Sequence, residues 1–305
     1  MSTWTWETAL TGVVPPLISP LDNALQPDAG ASATLVEHVL QGGCTGLFVL
    51  GGCGEGPWLT TAQRGGVSRA AVRAAAGRAP VLAGCTLPGT APAVEAARQA
   101  AAEGADAIVA GSPYYFAVDS DAQRRHLEAV LDAVDLPLLL YNIPPATHHT
   151  LSPALLADLA RERRVLGIKD SAGDFQAFQQ LLAIKRERPD FRVLQGNEAL
   201  ATASLLHGGD GLVPGLANVV PALFTALREA ARRGDAAEAT RLQEQANELG
   251  TLHTLGHWLP ALKAACAVAG IGNGLPAAPL APATDEQRQA IEESVRGCRE
   301  RCTMV

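Results

Sequence analysis

The sequence predicts an α/β protein of the (β/α)8 TIM-barrel class with a C-terminal helical extension. Three observations point there. Short aliphatic and β-branched runs alternate along the chain with longer Ala-, Leu-, Glu- and Arg-rich stretches of helical period. The runs are apolar throughout rather than alternating in polarity, the mark of parallel strands buried on both faces. Their spacing of about 20–35 residues is that of βα units. With 305 residues, 48% of them hydrophobic and 18% charged, the chain can enclose one large core. An open doubly wound sheet is the alternative.

Eight runs are expected as strands, at 12–18, 46–50, 80–83, 107–110, 136–140, 165–168, 191–194 and 211–213. The stretches between them, at 31–41, 61–76, 90–103, 121–134, 153–162, 175–186 and 199–207, each have one apolar helical face to lay on a sheet. After residue 213 no strand-like run recurs. Residues 220–232 supply the eighth barrel helix, and 236–249, 259–269 and 285–301 form three further helices. The segment Gly272-Asn273-Gly274-Leu275-Pro276, with Pro279 and Pro282, reads as a long connection before the last of them. The expected division is therefore a barrel over 1–233 and a helical extension over 234–305.

A net charge of −7 offers no footprint for a nucleic-acid backbone or an anionic membrane surface. No stretch reaches the run of about 18 apolar residues that a spanning helix needs, and the start lacks a leader pattern, so a cytoplasmic protein is expected. The six cysteines form no CxxC pair and pair with no histidine at metal-ligand spacing. The adjacent His148 and His149 would point apart in an extended chain. Neither a metal nor an organic cofactor is expected.

Barrel enzymes build their sites at the carboxyl ends of the strands. Three lysines stand among 24 basic residues, and Lys169 closes the sixth predicted strand, whereas Lys185 and Lys263 fall in helical stretches. A lysine off the surface asks for a reason, and Lys169 is the one so placed. A desolvated amine gives up its proton and can attack a carbonyl to form a Schiff base. Pairing with Asp170 is the plainer alternative. All three tyrosines, Tyr114, Tyr115 and Tyr141, follow predicted strands at the same end. A phenol there can pass a proton to a substrate oxygen, although capping the barrel explains Tyr114 better. After the second predicted strand, Gly51-Gly52-Cys53-Gly54-Glu55-Gly56 could bring backbone amides against a carboxylate or phosphate. It lacks the spacing of a nucleotide loop. Gly215, after the last predicted strand, reads as a tight turn or as part of a phosphate site.

Taken in order, Gly-Gly-Cys-Gly-Glu (51–55), Ser-Pro-Tyr-Tyr (112–115), Tyr-Asn-Ile-Pro (141–144) and Gly-Ile-Lys-Asp-Ser-Ala-Gly-Asp (167–174) resemble the motifs of the N-acetylneuraminate lyase and dihydrodipicolinate synthase family. The resemblance runs from Pro16 to about Gly274. It implies a barrel with a C-terminal helical extension, a homo-oligomer of two or four chains, and a Schiff base between Lys169 and pyruvate or another 2-oxo acid. It further implies that Tyr141 moves protons on the intermediate, that Tyr115 reaches a neighbouring subunit's site, and that the amides of Gly52 and Cys53 bind the pyruvate carboxylate.

The departures bear on the substrate. The family usually places Ser or Thr, then Thr, where this chain has Gly52 and Cys53, so the usual hydroxyl relay beside Tyr141 is absent. Dihydrodipicolinate synthases typically carry an arginine where Ala146 stands. The segment Gln195-Gly196-Asn197-Glu198 resembles the part of sialic-acid lyases and keto-deoxy-sugar aldolases that contacts substrate hydroxyls, with Glu198 as acceptor. The resemblance therefore implies an aldolase joining pyruvate and an aldehyde, with a 2-keto-3-deoxy sugar acid or 4-hydroxy-2-oxoglutarate as substrate. Dihydrodipicolinate synthase activity and a non-catalytic 2-oxo-acid-binding barrel are the alternatives.

Overall fold

The computed structural model describes residues 4–302; Met1–Thr3, the start of the segment read for a leader, lie outside them. Seven parallel strands form one sheet in sequential order: β1 (Leu47–Val49), β2 (Val81–Gly84), β3 (Ala107–Gly111), β4 (Leu138–Asn142), β5 (Val165–Asp170), β6 (Arg192–Gln195) and β7 (Gly211–Leu212). The first expected strand, 12–18, is not one. Pro15 and Pro16 carry no N–H, so the segment cannot sustain a ladder. It makes single parallel bridges instead, Val13 to Leu212 and Pro16 to Phe48. Through the bonds Val14 N to Leu212 O and Leu17 N to Phe48 O, both 2.8 Å, it links the two edges of the sheet. The result is TIM-barrel-like.

Alternate strand residues divide between two cores, as the period of two requires. Phe48, Leu82, Val109, Leu139, Tyr141 and Leu194 pack in the interior with Val14 and with Leu10 of the short helix Trp6–Leu10. Leu47, Val49, Ile108, Leu138, Leu140 and Val193 face the surrounding helices. Several of those helices start on side-chain caps that the sequence supplies, among them Asp28 on Ala31 N, Thr60 on Gln63 N, Asp119 on Ala122 N and Asp174 on Ala177 N. Four helices follow β7, at Pro221–Arg232, Ala236–Gly250, Trp258–Val268 and Asp285–Cys302.

Candidate active site

Strands β4 and β5 extend two residues past their apolar runs and end on Tyr141-Asn142 and Lys169-Asp170. Their register sets Tyr141 opposite Lys169. Lys169 is only 4% exposed. Its Nζ lies 4.3 Å from the ring centroid of Tyr141 and 5.0 Å from that of Phe48, which meet edge to face at 6.0 Å. Two aromatic faces thus flank the amine and can carry positive charge on that nitrogen. The alternative partner makes no ion pair with it: Asp170 Oδ1 accepts from Asn142 Nδ2 at 2.6 Å, and burial pushes the Asp170 carboxyl above its ordinary value. Gly196, just past β6, makes room for the lysine. A Cβ there would fall 2.8 Å from Lys169 Cε and 2.1 Å from Ser171 Oγ.

The glycine loop follows β1 through two left-handed residues that are not glycine, Leu50 at φ 60° and Glu55 at φ 55°. Such conformations persist only where surroundings fix them. Gly56 is required, since a Cβ would lie 2.0 Å from Leu50 O, whereas a Cβ on Gly52 would meet nothing within 4 Å. The amides of Glu55 and Gly56 close the turn on Gly52 O and Gly51 O, at 3.1 and 3.2 Å. Among the described residues the Gly52 and Cys53 amides donate to no backbone carbonyl, which leaves them facing an anion as donors. Burial pushes the Cys53 thiol up to about 12, so it stays protonated at neutral pH.

Lys169 is not the sole lysine off the surface, as the sequence suggested. Lys263, on the helix Trp258–Val268, is 1% exposed. Its Nζ meets Glu55 Oε2 at 2.5 Å and Ser19 O at 2.9 Å, while Glu55 Oε1 accepts from Ala277 N at 2.5 Å. Ser19 Oγ in turn donates to Gly54 O at 2.6 Å. This buried pair ties the glycine loop to the C-terminal helices and fixes the left-handed Glu55. Burial pulls the Lys263 ammonium below its ordinary value, and Glu55 opposes that shift. The signal was the setting of Lys263 in a run of Ala, Leu and Cys with no polar face.

A cavity of about 280 Å³ opens beside these groups. Of the expected residues, Gly52 and Tyr141 line it; Lys169, Cys53, Gly196 and Gly215 do not, and the Lys169 amine lies behind the lining rings of Tyr141 and Phe48. Tyr115 does not: it is 81% exposed at φ 82° and packs edge to face on Phe116. Tyr114 lines the cavity instead, with Ala146 and with Trp58, Ile143, Trp258 and Leu259, the last four of which were not expected there. Glu198 is engaged outside it, accepting from Leu216 N at 2.7 Å and facing His253 Nε2 at 3.5 Å. Gly215 opens the turn Gly215–Asn218 beneath that carboxylate; a Cβ on it would lie 3.2 Å from Cys53 Sγ and 3.6 Å from Glu198 Oε1. His149 Nε2 accepts from Val118 N at 2.9 Å, so Nδ1 carries the proton and donates to Thr147 O at 2.7 Å. Neither His148 nor His149 lines the cavity.

Residues 9–297 match the Dihydrodipicolinate synthetase family. The chain is 35% identical over 283 residues to an uncharacterized DapA-like lyase of Halobacterium salinarum, covering 93% of this chain and 92% of that one. It is 34% identical over 247 residues to a probable 2-dehydro-3-deoxy-D-pentonate aldolase of Escherichia coli K12, covering 80% and 82%. Its fold superposes with a TM-score of 0.90, at 29% identity and covering 94% and 98%, on YagE, an E. coli K12 prophage protein of the dihydrodipicolinic acid synthase family crystallised with pyruvate. Likeness across nearly the whole chain, in sequence and in fold, settles its membership: the chain belongs to the dihydrodipicolinate synthetase family, whose members are class I lyases and aldolases.

Proposed function

We propose that Lys169 forms a Schiff base with pyruvate, and that the chain makes or breaks the carbon–carbon bond between pyruvate and an aldehyde. The observation that carries this reading is a buried lysine flanked by Tyr141 and Phe48, with no ion-pair partner among the described residues. The Gly52 and Cys53 amides hold the carboxylate, and neutral Lys169 attacks C2; the Tyr141 hydroxyl gives its proton to the carbonyl oxygen, which leaves as water, so that the imine is protonated and Tyr141 is left as the phenolate. In the cleavage direction the protonated imine draws the C3–C4 electrons, Tyr141 accepts the C4 hydroxyl proton, and an aldehyde leaves. The enamine takes a proton at C3, and water releases pyruvate from the amine.

Any 2-oxo-4-hydroxy acid fits this scheme, the keto-deoxy sugar acids and 4-hydroxy-2-oxoglutarate among them. The synthase alternative asks for a cation facing the aldehyde's carboxylate, but Ala146 holds that position and no Lys or Arg lines the cavity. A phosphate site at Gly215 is opposed by the Glu198 carboxylate beside it. Tyr115, exposed beside the exposed Phe116, suits a homo-oligomer in which it meets a neighbouring chain. The same reading takes 1–233 as the catalytic barrel, 234–305 as an extension and the cytoplasm as its location.

The experiment is to incubate the protein with pyruvate in D2O and follow the methyl proton signal by NMR. Enamine formation exchanges the methyl hydrogens and the signal decays. Pyruvate that binds without exchange identifies a non-catalytic barrel.

A further inference from the structure

We infer that the aldehyde partner of this enzyme carries an apolar or aromatic substituent rather than hydroxyls or a second carboxylate. The inference rests on the Schiff-base reading of Lys169 and concerns the cavity beside it, which Tyr141 and Phe48 line. Beyond Tyr141 its walls are Pro57, Trp58, Ile143, Ala146, Trp258 and Leu259. Trp58 is 47% exposed and Trp258 38% exposed, so two indoles border the space where a substituent would enter.

The polar groups there are few and mostly committed. Glu55 lines the cavity but gives both carboxylate oxygens to Lys263 and Ala277. Thr147 Oγ1 serves Ile143 O and His149 O, each at 3.1 Å, and Thr86 Oγ1 accepts from Gly111 N at 2.9 Å. Glu198, which would read a polyol, is held by Leu216 N outside the cavity. That leaves the Tyr114 hydroxyl, the O–H of Thr86 and the indole N–H groups of Trp58 and Trp258, none of them charged. A chain of hydroxyls entering these walls would lose more water partners than these few groups replace, and a carboxylate would meet no cation. An apolar or aryl group loses only water.

In the synthetic direction the enamine C3 of Lys169-bound pyruvate bonds to the aldehyde carbon, and the aldehyde oxygen takes a proton from Tyr141. Hydrolysis of the imine then frees a 2-oxo-4-hydroxy acid with the aryl or alkyl group on C4. The step balances as pyruvate plus aldehyde.

The test offers the purified protein pyruvate with benzaldehyde, D-glyceraldehyde or glyoxylate in parallel, with product quantified by mass spectrometry and methyl exchange of pyruvate measured alone. The expected result is exchange with pyruvate, and kcat/KM for benzaldehyde at least ~10-fold above the other two, the scale set by apolar-pocket discrimination. The exposed Ala146→Arg variant should shift the ratio toward glyoxylate. Normal exchange with glyceraldehyde or glyoxylate preferred overturns the inference and leaves the Schiff-base reading standing. Absence of exchange overturns that reading and the inference with it.

Discussion

Tyr141 and Lys169 are register partners on adjacent strands, and the lysine Nζ lies 4.3 Å from the tyrosine's ring centroid. Parallel pairing holds the two side chains on the same inner face, so neither depends on a mobile loop for its placement. The proton carrier and the amine are therefore set by the sheet itself. Tyr141→Phe keeps the ring and removes the hydroxyl. Turnover should fall by about 10²–10⁴-fold, the usual size of a lost general acid or base. Steady-state rates with an unchanged melting temperature would check it, and a wild-type rate would assign the proton to another group.

Gly196→Ala puts a methyl where Lys169 Cε and Ser171 Oγ now lie within 2.8 and 2.1 Å of it. The lysine must move, and a misplacement of about 1 Å can cost 10²-fold in rate. Gly52→Ala meets nothing within 4 Å and should fold normally while reaching into the cavity, raising KM for pyruvate. Comparing kcat and KM of the two variants separates a displaced nucleophile from a narrowed carboxylate site.

Lys263→Met strands Glu55 as a buried, unpaired carboxylate, 2.5 Å from where the ammonium was. Breaking one side of such a pair costs about 3–5 kcal/mol, whereas removing both charges is far milder. A urea midpoint well below wild type is expected for Lys263→Met, with most of the loss recovered in Lys263→Met/Glu55→Gln. Equal loss in single and double variants would mean the pair is worth only its packing.

His126 is 2% exposed, with Nδ1 3.0 Å from Thr90 Oγ1, and burial pulls it down to about 4 from 6.5. The unfolded chain takes up a proton near pH 6.5 that the folded chain resists until about 4. Stability should therefore be full above pH 6.5, fall by about 3 kcal/mol as pH drops toward 4, and level off from this cause below it. The pH dependence of denaturant unfolding should lose that slope in His126→Gln.

The barrel was legible because its buried parallel strands are continuous apolar runs, and seven of them lie within two residues of their expected ends. The exception, 12–18, has the right apolar content, but two prolines remove the ladder donors, leaving single bridges. Lys169 and Tyr141 were legible because they end such runs. Lys263 was legible only through the apolar run around it, which has no polar face and so marks an enclosed helix. The left-handed backbone at Tyr115 turns that residue to the surface and leaves Tyr114 in the cavity. Glu198 looked available because the donor that occupies it, the Leu216 amide, lies on a turn 18 residues along.

The central claim is that Lys169 is the nucleophile, and reduction of the imine tests it most directly. The protein is incubated with pyruvate, treated with borohydride, and weighed intact and as peptides by mass spectrometry. One pyruvate-derived adduct on the Lys169 peptide is predicted, absent in Lys169→Ala and unchanged in Lys185→Ala, whose lysine is bonded to Asp210 at 2.8 Å. A folded protein with no adduct, or with its adduct on Lys263, would contradict the account.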